Sequence, residues 1–129
     1  MQTRWAGVVV FVSFVGIAAT PVQGPRLDSV MREKLTHSQK ILEAVVTSNW
    51  AELDAETKKL EALTNDSRWA VLKAPEYGEL TTSFRQALRR LRQAAAERDL
   101  DGTPAAYNAV TLRCVACHRY VARERIAVK

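Results

Sequence analysis

From Asp28 to Ser48 the chain repeats on a helical period: Met31, Leu35, Ser38, Leu42 and Val45 lie alternately four and three residues apart, flanked by Ile41 and Val46. That spacing lays one stripe along one face of an α-helix that follows the breaker Pro25. Asn49 then offers a helix cap with Glu52 three positions on, and Trp50, Leu53, Thr57, Leu60 and Thr64 continue the period with Leu63 beside it. The turn-forming run Asn65-Asp66-Ser67 is expected to end this second helix.

Residues 68–78 carry no clean period and contain Pro75, so the pattern predicts one long, ordered connection there, pinned by Trp69, Val71 and Leu72. A third helix is expected over 79–98. It turns Leu80, Phe84, Ala87, Leu88, Leu91 and Ala95 inward and puts Arg85, Arg89, Arg90 and Arg92 on a solvated outer face. Asp101-Gly102 breaks the chain, Thr103 caps a fourth helix with Pro104 in its first position, and Tyr107, Val110, Cys114, Cys117 and Val121 form its stripe. No segment makes a convincing strand. Four helices joined mostly by short loops predict an all-α fold, an antiparallel four-helix bundle.

Composition strengthens this reading: the chain is rich in Ala, Leu, Glu, Arg and Lys and has 5 Gly in 129 residues. The first residues are of another kind. Met1-Gln2-Thr3-Arg4 is short and basic, Trp5 to Ala19 is apolar, and Gly16, Ala18 and Ala19 are small, which is the pattern of a secretory signal peptide. Residues 1–19 are read as that signal, with the cut between 19 and 24, and 25–129 as a single domain exported to the periplasm. An uncleaved anchor is the alternative, but the run is shorter than the roughly 20 residues that cross a bilayer. The mature form is therefore expected to have no stable membrane span. A domain of about 110 residues buries only about two thirds of its surface, so an internal cofactor would enlarge its core substantially.

The chemistry is concentrated in Cys114-Val115-Ala116-Cys117-His118, which holds both cysteines and the second of 2 histidines. C-x-x-C-H is the attachment signature of c-type haem. On a helix, positions i, i+3 and i+4 share a face, so two thiols can meet the haem vinyl groups while the imidazole turns to iron. A thioredoxin-type redox pair belongs beside a βαβ pattern that is missing here. Zinc needs four ligands, and Cys117 and His118 cannot both reach a tetrahedral ion easily from one helix. A disulfide across i, i+3 would be strained. Cys114 and Cys117 are therefore read as the haem thioether anchors, His118 as the proximal iron ligand, and one covalent haem c as the cofactor.

With its motif near the C-terminus of a four-helix bundle, the chain resembles the class II c-type cytochromes, the cytochrome c′ group. The resemblance spans the mature chain in length, helix order and motif position, and within the group it is to members with a Met-ligated, low-spin haem. The family often has an aromatic residue three positions after the haem histidine, then a basic one. Here Val121 and Ala122 stand there, with Tyr120 and Arg123 one step to either side. The resemblance implies a homodimer through the first two helices.

No methionine follows His118, and Met31 is the only one left once the signal is removed. In an up-down-up-down bundle the start of the first helix lies beside the end of the last, so Met31 is the candidate distal ligand. The resemblance agrees, since the family's distal residue also lies near the start of its first helix. Met31 as simple core filler is the alternative. His37, the rival ligand, is rotated by roughly 120° from the stripe and is expected at the rim. His/Met ligation closes the iron and suits an electron-transfer protein, which is the main reading; an empty sixth position would instead bind small gases such as nitric oxide or carbon monoxide. Neither role is enzymatic, and catalysis ranks well behind both. Arg113, Arg119, Arg123 and Arg125 surround the motif, where they could pair with haem propionates or with an acidic redox partner; solvated surface arginines are the plainer alternative. No nucleic-acid partner is expected.

Overall fold

The computed structural model describes residues 25–70 and 72–127, with side chains over 29–70 and 72–124. The signal segment, its cleavage window and Val71 lie outside the described residues. Four helices account for the fold: α1 (Pro25–Val46), α2 (Trp50–Leu63), α3 (Pro75–Ala96) and α4 (Gly102–Ala127), with no strand among the described residues. Among them, no helix is long and apolar enough to cross a membrane.

Local chemistry sets the helix ends. Asn49 caps α2 as expected, its Oδ1 accepting from Glu52 N at 3.3 Å. At the ends of α1 and α3, Ser48 and Arg98 take left-handed conformations, each with φ 52°. There Asn49 N donates to Ala44 O and Asp99 N to Ala94 O, the bonds of a Schellman closure. Pro75 does not interrupt a connection; it opens α3, four residues before the expected start, because a first-turn proline gives up a hydrogen bond the helix does not make. Asp99, not Thr103, caps α4: its Oδ1 accepts from Asp101 N at 3.1 Å and Gly102 N at 2.8 Å. Gly102 leaves the space into which that carboxylate folds. Thr103 lies one position inside the helix, its hydroxyl buried and unpartnered.

The helices form an antiparallel ring, each packed on the next in sequence. Paired residues run in opposite directions between neighbours: Arg85 with Thr64 and Arg92 with Asp54 for α3 and α2, and Ser38 with Tyr107 and Met31 near His118 for α1 and α4. The core is Leu53 and Leu60 of α2, Phe84, Leu88 and Leu91 of α3, Val30 and Ile41 of α1, and Val110 and Tyr120 of α4. The α3 stripe read from sequence is buried at Phe84, Ala87, Leu88, Leu91 and Ala95, with Tyr77 added.

Two further expectations need correction. The α1 face turned to the core carries Val30, Lys34, Ile41 and Ala44, whereas Leu35 is 57% and Val46 is 76% exposed. The expected stripe is rotated toward α4, where packing is sparse. The arginines of α3 are not simply a solvated face. Arg85 donates to Thr64 Oγ1 at 2.6 Å and to the Thr64 carbonyl at 2.9 Å, and Arg92 Nε meets Asp54 Oδ1 at 2.9 Å, tying α3 to α2.

The connection between α2 and α3 is ordered around Trp69. Its Nε1 donates to Thr81 Oγ1, its ring stacks on Phe84 with centroids 5.7 Å apart, and its carbonyl accepts the Tyr77 hydroxyl at 2.5 Å. Asp66 accepts from both the backbone and the guanidinium of Arg68, which holds its carboxyl down at about 2.

Candidate functional site

The weakest seam of the ring lies between α1 and α4. The Tyr107 hydroxyl crosses it to the Ser38 carbonyl at 3.0 Å, and beyond that bond a mostly apolar cleft of about 220 Å³ opens. Met31, Lys34 and Leu35 of α1 form one wall; Val110, Cys114 and His118 of α4 form the other. Met31, Cys114 and His118 are thus brought together from opposite sides of one opening. A larger groove of about 480 Å³ at the far end of the seam, between Leu42, Val46, Leu100 and Pro104, holds neither cysteine nor histidine.

Around Cys114, Cys117 and His118 α4 is unbroken, so the three stand on one helical face. Both cysteines are free thiols, each partly buried, and Cys117 packs against the core. Burial pushes the Cys117 thiol up, with Cys114 adding to the rise and the Lys34 charge opposing it. Burial and then the Lys34 charge push His118 below its ordinary value. Both remain uncharged at neutral pH, the form in which an imidazole nitrogen is free to bind a metal. Among the described residues no group of three or more His, Cys, Asp and Glu is placed to hold a metal ion.

His37 is not brought to the cleft. Its Nδ1 lies 2.6 Å from Oε2 of Glu56, whose side chain is 0% exposed. Burial works against the Glu56 charge, but the Lys59 ammonium and the His37 ring, with Lys40 behind them, outweigh it and hold the carboxyl below its usual value. Arg113, Arg119 and Arg123 are exposed, while the Arg125 side chain lies outside the described residues. Arg119 and Arg123 share a groove with Glu76 and Glu79 of α3, so the charge beside the motif is mixed.

Sequence reading missed Lys34 and Glu56. Lys34 is 6% exposed, with Nζ 4.5 Å from the Phe84 ring centroid and 4.9 Å from that of Trp69. Its signal was positional: Val30, Lys34, Ile41 and Ala44 also keep helical spacing, but a lysine within that set hides it.

No protein-family model and no curated protein matches the chain. Among solved structures, its fold is similar to that of cytochrome c prime from Alcaligenes xylosoxidans, determined as the nitric oxide complex of a mutant. The TM-score is 0.59 at 22% sequence identity, over 73% of this chain and 87% of that one. The likeness is one of fold, a four-helix bundle.

Proposed function

We propose that this chain is a periplasmic c-type haem protein, with one covalent haem in the α1–α4 cleft and the α1-facing side of the iron open to a small ligand such as nitric oxide or carbon monoxide. One observation carries the reading: Cys114 and His118 on one wall of an apolar cleft face Met31 and Leu35 on the other. The residues fit the group. Two free thiols and an uncharged imidazole stand at the spacing that two thioether bonds and one axial bond require, beside mostly apolar walls. Cys114 and Cys117 would hold the ring and His118 the iron. When bound, the haem supplies the metal that takes up the ligand or exchanges an electron. The nitric oxide complex of the similar fold supports the ligand reading over the electron carrier that the sequence favoured.

The carrier remains the second reading because Met31 lines the wall opposite His118. A thioether on the iron there would close it to other ligands. In that case an acidic protein is the natural redox partner and the outer faces of α1 and α2 the dimer surface. Neither reading involves enzymatic turnover.

Absorption spectra of the purified ferric and ferrous protein, with and without carbon monoxide, separate the two. High-spin iron that takes up carbon monoxide readily supports ligand binding. Low-spin iron that takes it up slowly supports the carrier. A denatured chain that carries no haem on a gel removes both.

A further inference from the structure

Lys34 is the anomaly of the bundle interior. It stands one turn beyond Met31, 6% exposed, and among the described residues it has neither a carboxylate nor a hydrogen-bond acceptor. Its ammonium rests only on the faces of Phe84 and Trp69, at 4.5 and 4.9 Å. With so little of the side chain left in solvent, the ammonium has given up much of its hydration, and aromatic faces return only part of what water gave. Lys34 also lines the cleft with Met31, Cys114 and His118. The direction from which an anionic partner can arrive is that cleft.

Two anions could meet it there, a haem propionate or a ligand on the iron. Propionates are the charged edge of the ring and stay hydrated at a solvent mouth. Lys34 instead rests its ammonium against the rings of Trp69 and Phe84, on the α1 wall across from His118. That is the ligand-receiving side.

We propose that the Lys34 ammonium favours small anions of the size of azide or nitrite on the α1-facing side of the cleft, by donating a charged hydrogen bond to them. The inference rests on the haem reading above and extends it: the site also takes small anions, while neutral gases gain little from Lys34.

The test uses the holoprotein as wild type, Lys34→Met and Lys34→Arg. Azide is titrated into the ferric form and carbon monoxide into the ferrous form, both followed by absorption, and covalent haem is scored on a denaturing gel. Loss of a charged hydrogen bond in Lys34→Met is expected to weaken azide binding roughly 10-fold or more, with carbon monoxide within about 2-fold and Lys34→Arg retaining most of the azide affinity. If Lys34→Met does not fold, Lys34→Gln replaces it with the same expectation in direction. Unchanged azide affinity overturns the proposal, and so does a parallel loss of azide and carbon monoxide. Reduced haem content with azide affinity intact also overturns it, by assigning Lys34 to a propionate. A wild type without covalent haem sinks the haem reading itself, a failure seen on the gel before any titration.

Discussion

Glu56 of α2 and His37 of α1 form a clamp across the α1–α2 seam, with Oε2 and Nδ1 2.6 Å apart and the carboxylate side chain wholly buried. Lys59 supplies a second contact to the same carboxylate at 2.6 Å. The clamp takes the histidine that could have rivalled Met31 and uses it to join helices.

Acid should loosen this pair. The folded chain holds Glu56 below its ordinary value of 4.5, and Asp66 at about 2 against 3.8, so the unfolded chain takes up protons first as pH falls. Their stabilisation is fully present above the ordinary values and is lost as pH drops through the folded ones. The urea midpoint is expected to fall below about pH 4.5, and Glu56→Gln should flatten the upper part of that fall. At neutral pH the variant should lose about 2 kcal/mol, less than the roughly 3–5 kcal/mol typical of a broken buried pair, because Lys59 can return to water. An acid profile of Glu56→Gln parallel to wild type would show that the clamp contributes nothing to it.

Arg98 closes α3 in the left-handed region, where a side chain is strained and glycine is not. Arg98→Gly should raise stability by about 0.5–1 kcal/mol, read as a higher urea midpoint at unchanged slope. Ser48→Gly at the end of α1 should do the same. A drop in either variant counts against the closure geometry.

Tyr77 anchors the α2–α3 connection through its hydroxyl. Removing it in Tyr77→Phe leaves the Trp69 carbonyl without that partner and should cost about 1–2 kcal/mol. Burial, with Cys117 adding to it, also pushes the Tyr77 phenol up to about 12. A raised phenol stabilises the fold fully below its ordinary value of 10.0 and loses that contribution as pH rises toward 12. Alkaline unfolding of Tyr77→Phe should therefore be shallower between those limits, as far-UV circular dichroism will show.

On the haem reading, replacing Cys114 and Cys117 together by Ala should abolish haem retained on a denaturing gel and leave a poorly folded chain, because so small a domain would rely on the cofactor for core. Haem still covalently attached in the double variant refutes the anchor assignment.

Met31→Leu keeps volume and helix propensity, so the bundle should lose no more than about 1 kcal/mol. On the ligand-binding reading the spin state stays high and carbon monoxide uptake changes little. A conversion from low to high spin, with faster uptake, would instead identify Met31 as an iron ligand and restore the carrier.

The four helices were legible because their apolar positions repeat on one period, and Asn49 caps where its side chain indicates. The α3 face was read almost residue by residue, since Phe84, Ala87, Leu88, Leu91 and Ala95 face packed neighbours on both sides. Failure came on α1, where two stripes compete. The more apolar one, through Leu35 and Leu42, faces the open seam, while the stripe through Lys34 faces the core. Periodicity ranks faces by hydrophobicity, and a helix beside a cleft has two faces with a claim to be apolar. Glu56 was hidden for a related reason: a carboxylate is read as exposed until the partners that let it be buried, here on another helix, are known.

The sparse α1–α4 seam bears on how the molecule is made. His37 and Glu56 hold α1 to α2, α3 packs along α4, and bridges from Arg85 and Arg92 join the two pairs, so the α1–α4 seam can part while the other three seams stay bound. On the haem reading, the parted seam would expose the thiols of α4 to the cofactor without unravelling the rest. Maturation becomes the closing of a book whose spine is already bound.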